Sequence, residues 1–349
     1  MIFVGDVAIA RGDRFVFAGF PGGMLRRPWC VNLEGAVAVG ESRPEWGVYN
    51  DESWIDSFAN FSLGPVFLGN NHVHDVPNGI GKTIDHLTAI GAGVFGAGSD
   101  ETAASMPALY ECDGVRYALL GFGWPVIGCR PAGRNSPGVN RLDGRRVRSQ
   151  LHRVLAGHPD ARIVVVIHGN YEFELYPQPG HRRLSKELID SGAYAVIWHH
   201  PHIVGPIERY RERTIAYSLG NWAFSHGRFL GGRLAFPEIS FRQIALELGQ
   251  DGDVVHHALF EAADSVVRYV GSERVGEQDF TLRAEFEGMP DEAYERWFRK
   301  NRVKRRGLPI YYDADDTMAN RLKDGWVRFR QFFVDAAGRA GIKPMRSRA

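Results

Sequence analysis

The chain has 349 residues and a 44% hydrophobic content, enough for a large domain with an appendage, or for two domains. Its 42 basic residues against 41 acidic ones leave almost no net charge, so nucleic acid is not expected as a partner. Three scattered cysteines, Cys30, Cys112 and Cys129, with no C-x-x-C, exclude a disulfide framework and a thiolate zinc site, and suit a reducing compartment.

The opening stretch MIFVGDVAIA carries Asp6 inside its apolar run and has no basic segment before it, unlike a secretory signal. No apolar run reaches the ~18 residues of a membrane span, so a soluble cytoplasmic protein without a transmembrane segment is expected. Short β-rich runs then alternate with helical stretches, the pattern of an α/β protein. Strands are predicted at Ile2–Val4, Trp29–Leu33, Pro65–Leu68, Val115–Gly121, Arg162–Ile167, Tyr194–Trp198 and Thr214–Leu219, with two more at Ile239–Leu248 and Val254–Phe260. Helical spacing marks Gly79–Ile90, Arg145–Ala156 and Arg182–Ser191, the first and last stopping at glycine. Cys112-Asp113-Gly114 reads as a hairpin turn. Gly121–Arg141, rich in Gly, Pro and Arg, reads as a long surface loop that covers a site, with Trp124, Arg130, Arg134 and Arg141 selecting substrate. The composition shifts after about residue 275. A catalytic domain over 1–272 is therefore expected, with a mostly helical extension over 273–349 containing Asp291–Lys304 and Ala319–Ala340.

Five of the predicted strands lead directly into residues that bind metals. Ile2–Val4 runs into Asp6, Trp29–Leu33 into Glu34, and Pro65–Leu68 into Asn70-Asn71-His72 with Asp75 behind. Arg162–Ile167 ends at His168, and Tyr194–Trp198 at His199-His200-Pro201-His202. Open α/β sheets bind ligands beyond the carboxyl ends of their strands, so these residues are expected to converge. One such histidine is usually structural, but three clusters in the same strand-end position argue for a site. Mixed carboxylate, amide and imidazole donors suit Mn²⁺, Fe or Zn²⁺ better than Ca²⁺ or Mg²⁺. The donors suffice for one or two ions, with Glu34 bridging a pair ~3.5–4 Å apart. The remaining histidines, His181 and His256 among them, read as surface or packing residues.

The ordered series Gly5-Asp6, Asn32-Leu33-Glu34-Gly35, Asn70-Asn71-His72-x-x-Asp75, His168 with Glu172-Phe173, His199-His200-Pro201-His202 and Tyr217-Ser218-Leu219-Gly220-Asn221 resembles the capsule-synthesis protein CapA family. That family is associated with poly-γ-glutamate and other bacterial surface polymers, and is similar to the calcineurin-like metallophosphoesterases. The resemblance covers residues 1–225. It implies a four-layer αββα sandwich, with Asp6 and His202 on a first metal, Glu34 bridging, and Asn71, His168 and His200 on a second. It implies His72 as general acid, with Asp75 orienting its ring, and Glu172, His199 and Asn221 on the substrate or water. Three positions depart from the wider superfamily. Ala8 stands where an imidazole is usual, Glu34 where aspartate is usual, and His199 where glycine is usual. The first metal is therefore expected to bind weakly or not at all.

These features lead to a metal-dependent hydrolase, with a phosphoester as the first candidate substrate. An amide or ester in a polyglutamate-like polymer is a second candidate, since a metal polarises either bond. A non-catalytic, metal-stabilised assembly module is a third. The substrate or partner is expected to be an anionic small molecule or surface polymer. The basic run Arg299–Arg306 could dock such an anion or form a solvated helix face. Trp297, Phe298, Trp326, Phe329, Phe332 and Phe333 are expected to pack the extension onto the catalytic domain or a second subunit, giving a homodimer.

Overall fold

Alternation of side chains along the central strands decides how the layers stack, because successive residues face opposite sides of a sheet. In the strand Arg162–His168, Ile163, Val165 and Ile167 join one core, and Val164 and Val166 another. Ala195–His199 divides the same way, Val196 and Trp198 against Ala195 and Ile197. Both faces of these strands are buried, as parallel sheets require.

The computed structural model of the chain describes residues 1–40, 43–44, 46–304 and 307–339. One sheet runs in the order Val16–Ala18, Val266–Arg274, Val254–Glu261, Arg242–Glu247, Ile2–Ala8, Pro28–Leu33, Ser62–Phe67, Val94–Phe95, with Asn221–Phe224 also paired to Ile2–Ala8. The other runs Ile207–Tyr210, Arg213–Ala216, Ala195–His199, Arg162–His168, Val115–Gly123, Ala108–Cys112. Phe3, Cys30 and Phe67 from the first sheet meet Leu119, Val166 and Ile197 from the second in the core between them. The helix Gly79–Ala89 covers the outer face of the first sheet through Ile80 and Leu87. Gly144–Gly157 and Pro179–Asp190 cover the outer face of the second through Val147, Leu151, Leu184 and Leu188. The expected four-layer αββα order is what these cores describe.

Most predicted elements are present, with boundaries shifted by a few residues. The hairpin turn forms as read, with Asp113 and Gly114 both at positive φ between antiparallel strands. The short pairing strands Val16–Ala18 and Asn221–Phe224 gave no sequence signal, because three or four residues are too few to show a period. The long strand Val266–Arg274, which the expected boundary at 272 crosses, was also unread.

Two expectations need correction. The segment Gly121–Arg141 is not wholly a surface loop: Gly121–Gly123 end a strand, and Trp124 is buried against Tyr171, His181 and Tyr311. The C-terminal extension covers that face and turns a loop residue into core. In the extension, Trp297 and Phe298 do pack inward, against Phe286 and Tyr294. Trp326, Phe329, Phe332 and Phe333 do not pack onto the catalytic domain but stand exposed on the last helix, Met318–Arg339, which buries Val327, and so leave only the second-subunit alternative. In the basic run, Arg305 and Arg306 lie outside the described residues, as does Ala340 at the end of the predicted last helix. Arg299 of that run bonds the hydroxyl of Tyr312.

The extension is fastened by a buried ion pair. The Arg182 guanidinium meets the Glu208 carboxylate at 2.5 Å, and also donates to the carbonyls of Phe286 and Met289. Tyr217 donates a further hydrogen bond to Glu208. Each buried charge is thereby satisfied by several partners, which a charge at this depth requires.

Candidate metal centre

The strands that carry the centre, Ile2–Ala8, Pro28–Leu33 and Ser62–Phe67 in one sheet and Arg162–His168 and Ala195–His199 in the other, are each parallel to their neighbours here. The carboxyl ends within each sheet therefore lie on one side, and the ligand atoms of the two sheets meet there. His168 continues the alternation of Val164 and Val166, and His199 that of Ala195 and Ile197, so both project into the space between the sheets. Asn32 follows Cys30 to the same side.

Asp6 reaches that space by a different device. Ile2 and Val4 face the outer core, so Asp6 would face outward under strict alternation. The register against Pro28–Leu33 shifts between Val4 and Asp6, a bulge that turns Asp6 inward. Gly5 sits at this bulge because a Cβ there would lie 2.0 Å from the carbonyl oxygen of Gly220, which accepts the Asp6 N–H.

Two clusters of ligand atoms result: Asp6, Glu34 and His202 form one, and Glu34, His168 and His200 the other. Glu34 is common to both, the place for a bridging carboxylate. The Asn71 amide oxygen lies 2.7 Å from Nε2 of His168, and Nδ1 of His200 lies 3.2 Å from the same nitrogen. His202 places Nδ1 3.1 Å from Oδ2 of Asp6 and 2.9 Å from Oδ1 of Asn221. His200 and His202 both hold positive φ, a conformation rare for such residues and common where surroundings force a ligand into position.

The donor set fits a metal on an observation of its own. Both carboxylate oxygens of Glu34 are buried without a hydrogen-bond partner. Buried carboxylate oxygens carry a large desolvation penalty unless something positive meets them. Burial, with the charge of Asp6 and against the pull of His202, pushes the Glu34 carboxyl up to about 8. Burial also opposes ionisation of Asp6, but hydrogen bonds from His199 and His202 hold it well below the usual carboxylate range. Burial, then the proximity of His200, keeps His168 neutral, and burial, then His202, does the same for His200; a metal-binding imidazole must be neutral. His202 differs: burial is outweighed by Glu34 and Asp6, which raise it to about 10.

His72 is half-buried at the rim. Its Nδ1 lies 2.7 Å from Oδ2 of Asp75, leaving Nε2 turned toward the centre, 3.8 Å from Glu34. Burial works against its protonation, but Asp75 prevails and holds its pKa above the ordinary histidine range. Asp75 is itself held by the Val48 N–H. His199 lies beneath the centre, its Nδ1 3.3 Å from Oδ1 of Asp6. Glu172 is exposed on the loop after His168, close enough for its charge to act on His202.

Two asparagines were undervalued in the sequence. Asn32 donates to Oδ1 of Asp6 at 2.7 Å and stands 3.2 Å from Nδ1 of His168, joining a ligand of each cluster. Asn70 accepts from the Gly35 and His72 N–H groups and donates to the Leu33 carbonyl, which stitches together the loops bearing Glu34 and Asn71. Their position in the strand-end motifs was visible, but which of two adjacent asparagines turns toward the cluster is a matter of direction.

Among solved structures, the chain is similar to a hypothetical protein from Thermus thermophilus, with a TM-score of 0.40 at 17% identity over 78% of this chain and 96% of that one. A 5'-nucleotidase precursor from the same organism gives a TM-score of 0.40 at 12% identity, over 78% of this chain and 53% of that one. Among curated sequences, it is 32% identical over 160 residues to the PGA biosynthesis protein CapA of Bacillus subtilis, covering 45% of this chain and 42% of that one. The capsule biosynthesis protein CapA of Bacillus anthracis is 29% identical over 164 residues, covering 46% of this chain and 40% of that one. A probable polyglutamine synthesis accessory protein of Mycobacterium tuberculosis is 29% identical over 164 residues, covering 44% and 43%. The matched part thus spans less than half the length of these curated relatives. The family model described as bacterial capsule synthesis protein PGA_cap matches residues 28–226, a span holding every residue of the centre except Asp6. That match takes in more than half of the chain, which therefore belongs to the bacterial capsule synthesis protein PGA_cap family.

Proposed function

We propose that the protein is a metal-dependent hydrolase acting on an anionic substrate, with a phosphoester as the first candidate, in the biosynthesis of a bacterial surface polymer. The observation that carries this reading is the convergence of Asp6, Glu34, Asn71, His168, His200 and His202, with both Glu34 carboxylate oxygens buried and without a hydrogen bond. Glu34, Asn71, His168 and His200 would hold one divalent ion, and Asp6, Glu34 and His202 another, with Mn²⁺, Fe or Zn²⁺ suiting the donors. Such an ion supplies Lewis acidity and a water acidified toward neutral pH.

The chain's own residues do the rest. Asp75 orients and charges His72, which delivers a proton from Nε2 to the leaving oxygen. A positioned general acid of this kind is typically worth ~10²–10⁴-fold. Asn221 holds His202 and His199 holds Asp6, so the ligands are aligned before substrate arrives. Glu172 at the mouth positions substrate or water. With Ala8 in place of an imidazole, the Asp6 side has fewer protein donors than the Asn71 side and binds its ion more weakly.

The test is elemental analysis of purified protein beside a His168→Ala/His200→Ala variant, followed by assay of a phosphodiester and a γ-glutamyl peptide. Retained Mn, Fe or Zn, lost in the variant, together with turnover of the phosphodiester supports the reading. Turnover of the γ-glutamyl peptide alone moves the reaction to an amide bond. A metal-loaded protein that turns over neither is an assembly module.

Two further expectations go with this proposal. The free cysteines support a reducing, cytoplasmic location, and no helix among the described residues is long and apolar enough to cross a membrane. Leu322, Trp326, Phe329 and Phe333 are exposed at helical spacing on the last helix, which supports a homodimer through the extension. Sedimentation of the protein and of a Phe329→Glu/Phe333→Glu variant tests it, a monomer in both sinking the idea.

A further inference from the structure

We infer that Gln178 is a positioning residue for the metal centre: through its buried amide the C-terminal extension holds the loop after His168, and so His200 and His202, in the arrangement that accepts an ion. This rests on the reading of His168, His200 and His202 as ligands, and adds to it the part of the chain that keeps them in place.

The loop after His168 is strained where it meets the ligands. Asn170 has φ 83° and Phe173 φ 56°, and His200 and His202 opposite them have φ 97° and 57°. Four non-glycine residues at positive φ persist only where their surroundings over-determine them. Part of that hold is mutual. The Gly169 N–H donates to the His199 carbonyl at 3.0 Å, and the Phe173 N–H to the carbonyl of Pro201, between the two ligands, at 2.9 Å. A shift of the loop after His168 therefore carries His200 and His202 with it.

The extension supplies the rest. Gln178, wholly buried, accepts the Tyr311 N–H at 3.2 Å with its amide oxygen, and its amide nitrogen donates to the Asn170 side chain at 3.1 Å. Asn170 in turn donates to the Tyr176 carbonyl at 3.0 Å, which closes the loop on itself. Around this link the Tyr311 carbonyl accepts the Gly180 N–H at 2.9 Å, and the Tyr171 hydroxyl donates to the Pro309 carbonyl at 3.2 Å. Glu174, almost wholly buried, accepts the N–H groups of Val303 at 3.1 Å and Lys304 at 2.7 Å.

Gln178 differs from the other contacts because one side chain joins the extension to a positive-φ residue two positions beyond His168. With Tyr311 undocked, the Gln178 amide is free to turn from Asn170, and the strain at Asn170, Phe173, His200 and His202 is released. The ligands then lose their preset geometry, and ordering them again costs affinity for the ion. Docking of the extension and ion binding are therefore coupled. Such coupling is reciprocal: an ion that favours the strained loops also favours the docked extension.

The experiment measures Mn²⁺ affinity of the full chain by competition with a chelating dye, and hydrogen exchange over residues 303–311 with and without Mn²⁺. Gln178→Met, which keeps the bulk of the side chain and loses both hydrogen bonds, should weaken Mn²⁺ binding by about fivefold or more. Tyr171→Phe, a milder loosening of the same contact, should act in the same direction to a smaller extent. Glu208→Ala, which loosens the extension away from this loop, should bind Mn²⁺ as wild type does. In wild type, Mn²⁺ should slow exchange over 303–311. Three results would overturn the positioning role while leaving the metal centre standing. One is unchanged affinity in Gln178→Met, or in Tyr171→Phe should Gln178→Met not fold. The others are exchange over 303–311 indifferent to Mn²⁺, and equal weakening in Gln178→Met and Glu208→Ala. Wild type that binds no Mn²⁺ is a different failure: it overturns the reading of the centre and this role with it.

Discussion

The amide oxygen of Asn71 lies 2.7 Å from Nε2 of His168, although the two residues belong to opposite sheets. Asn71 follows Ser62–Phe67 in one sheet, and His168 ends Arg162–His168 in the other. Nδ1 of His200 meets the same nitrogen at 3.2 Å. The two sheets therefore meet at the Asn71 side of the centre, and changes there should affect metal affinity before they affect the fold.

Asn32 tests that link most sharply, because it touches Asp6 and His168 but belongs to neither ligand cluster. Asn32→Ala should weaken metal affinity by about 10–100-fold, the usual effect of removing an orienting partner. Competition with a chelating dye measures it, with far-ultraviolet circular dichroism to confirm that the fold is kept. Affinity equal to wild type would mean that Asn32 does not orient the ligands.

His72 should separate chemistry from binding. His72→Ala should slow turnover by ~10²–10⁴-fold with metal content unchanged. Because Asp75 raises the pKa of His72, the rate of wild type should fall only above the ordinary histidine range. Asp75→Asn should move that alkaline fall to lower pH. Loss of metal from His72→Ala would make His72 a ligand and remove it as the acid.

Stability should fall with rising pH without metal and hold steady with it. Glu34 is raised from 4.5 to about 8 and His202 from 6.5 to about 10 in the metal-free fold. The folded chain then holds protons that the unfolded chain has released, so their contribution is fully present below 4.5 and 6.5 respectively. It is lost as pH rises through about 8 for Glu34 and about 10 for His202. Chelator-treated protein should melt at progressively lower temperature between about pH 6.5 and 9.5. Metal-loaded protein should not, because the ion replaces those protons. Parallel melting curves across that range would contradict the assigned ligands.

The Arg182–Glu208 pair should be a stability element with no direct part in the chemistry. Both side chains are almost completely buried, so Glu208→Ala leaves Arg182 among Phe286, Tyr294 and the Met289 carbonyl with only the Asp291 carboxylate, at 3.5 Å, to balance it. Loss of one partner from such a pair costs ~3–5 kcal/mol. Urea denaturation should show it as a lowered midpoint. A change below ~1 kcal/mol would mean that water reaches Arg182.

Much of the centre was legible in the sequence because strand ends are short-range features. An apolar run of β-formers followed at once by Asp6, Glu34, His168 or His199 carries its own direction, and parallel sheets bring such ends to one side. The αββα order followed from the resemblance, and the alternation within Arg162–His168 and Ala195–His199 accounts for it.

Tertiary structure alone decided the rest, since those features depend on partners distant in sequence. The bulge that turns Asp6 inward exists because Gly220 approaches Gly5, and no periodicity near residue 6 announces it. Trp124 is core because Tyr311 covers it, and the chain after Asp291–Asn301 lies against the loop after His168 because Glu174 accepts the Val303 and Lys304 N–H groups. A side chain's chemistry and its spacing along an element are local properties, written in order along the chain. Which atoms finally face one another is set by packing between elements, and is known only once the layers have closed.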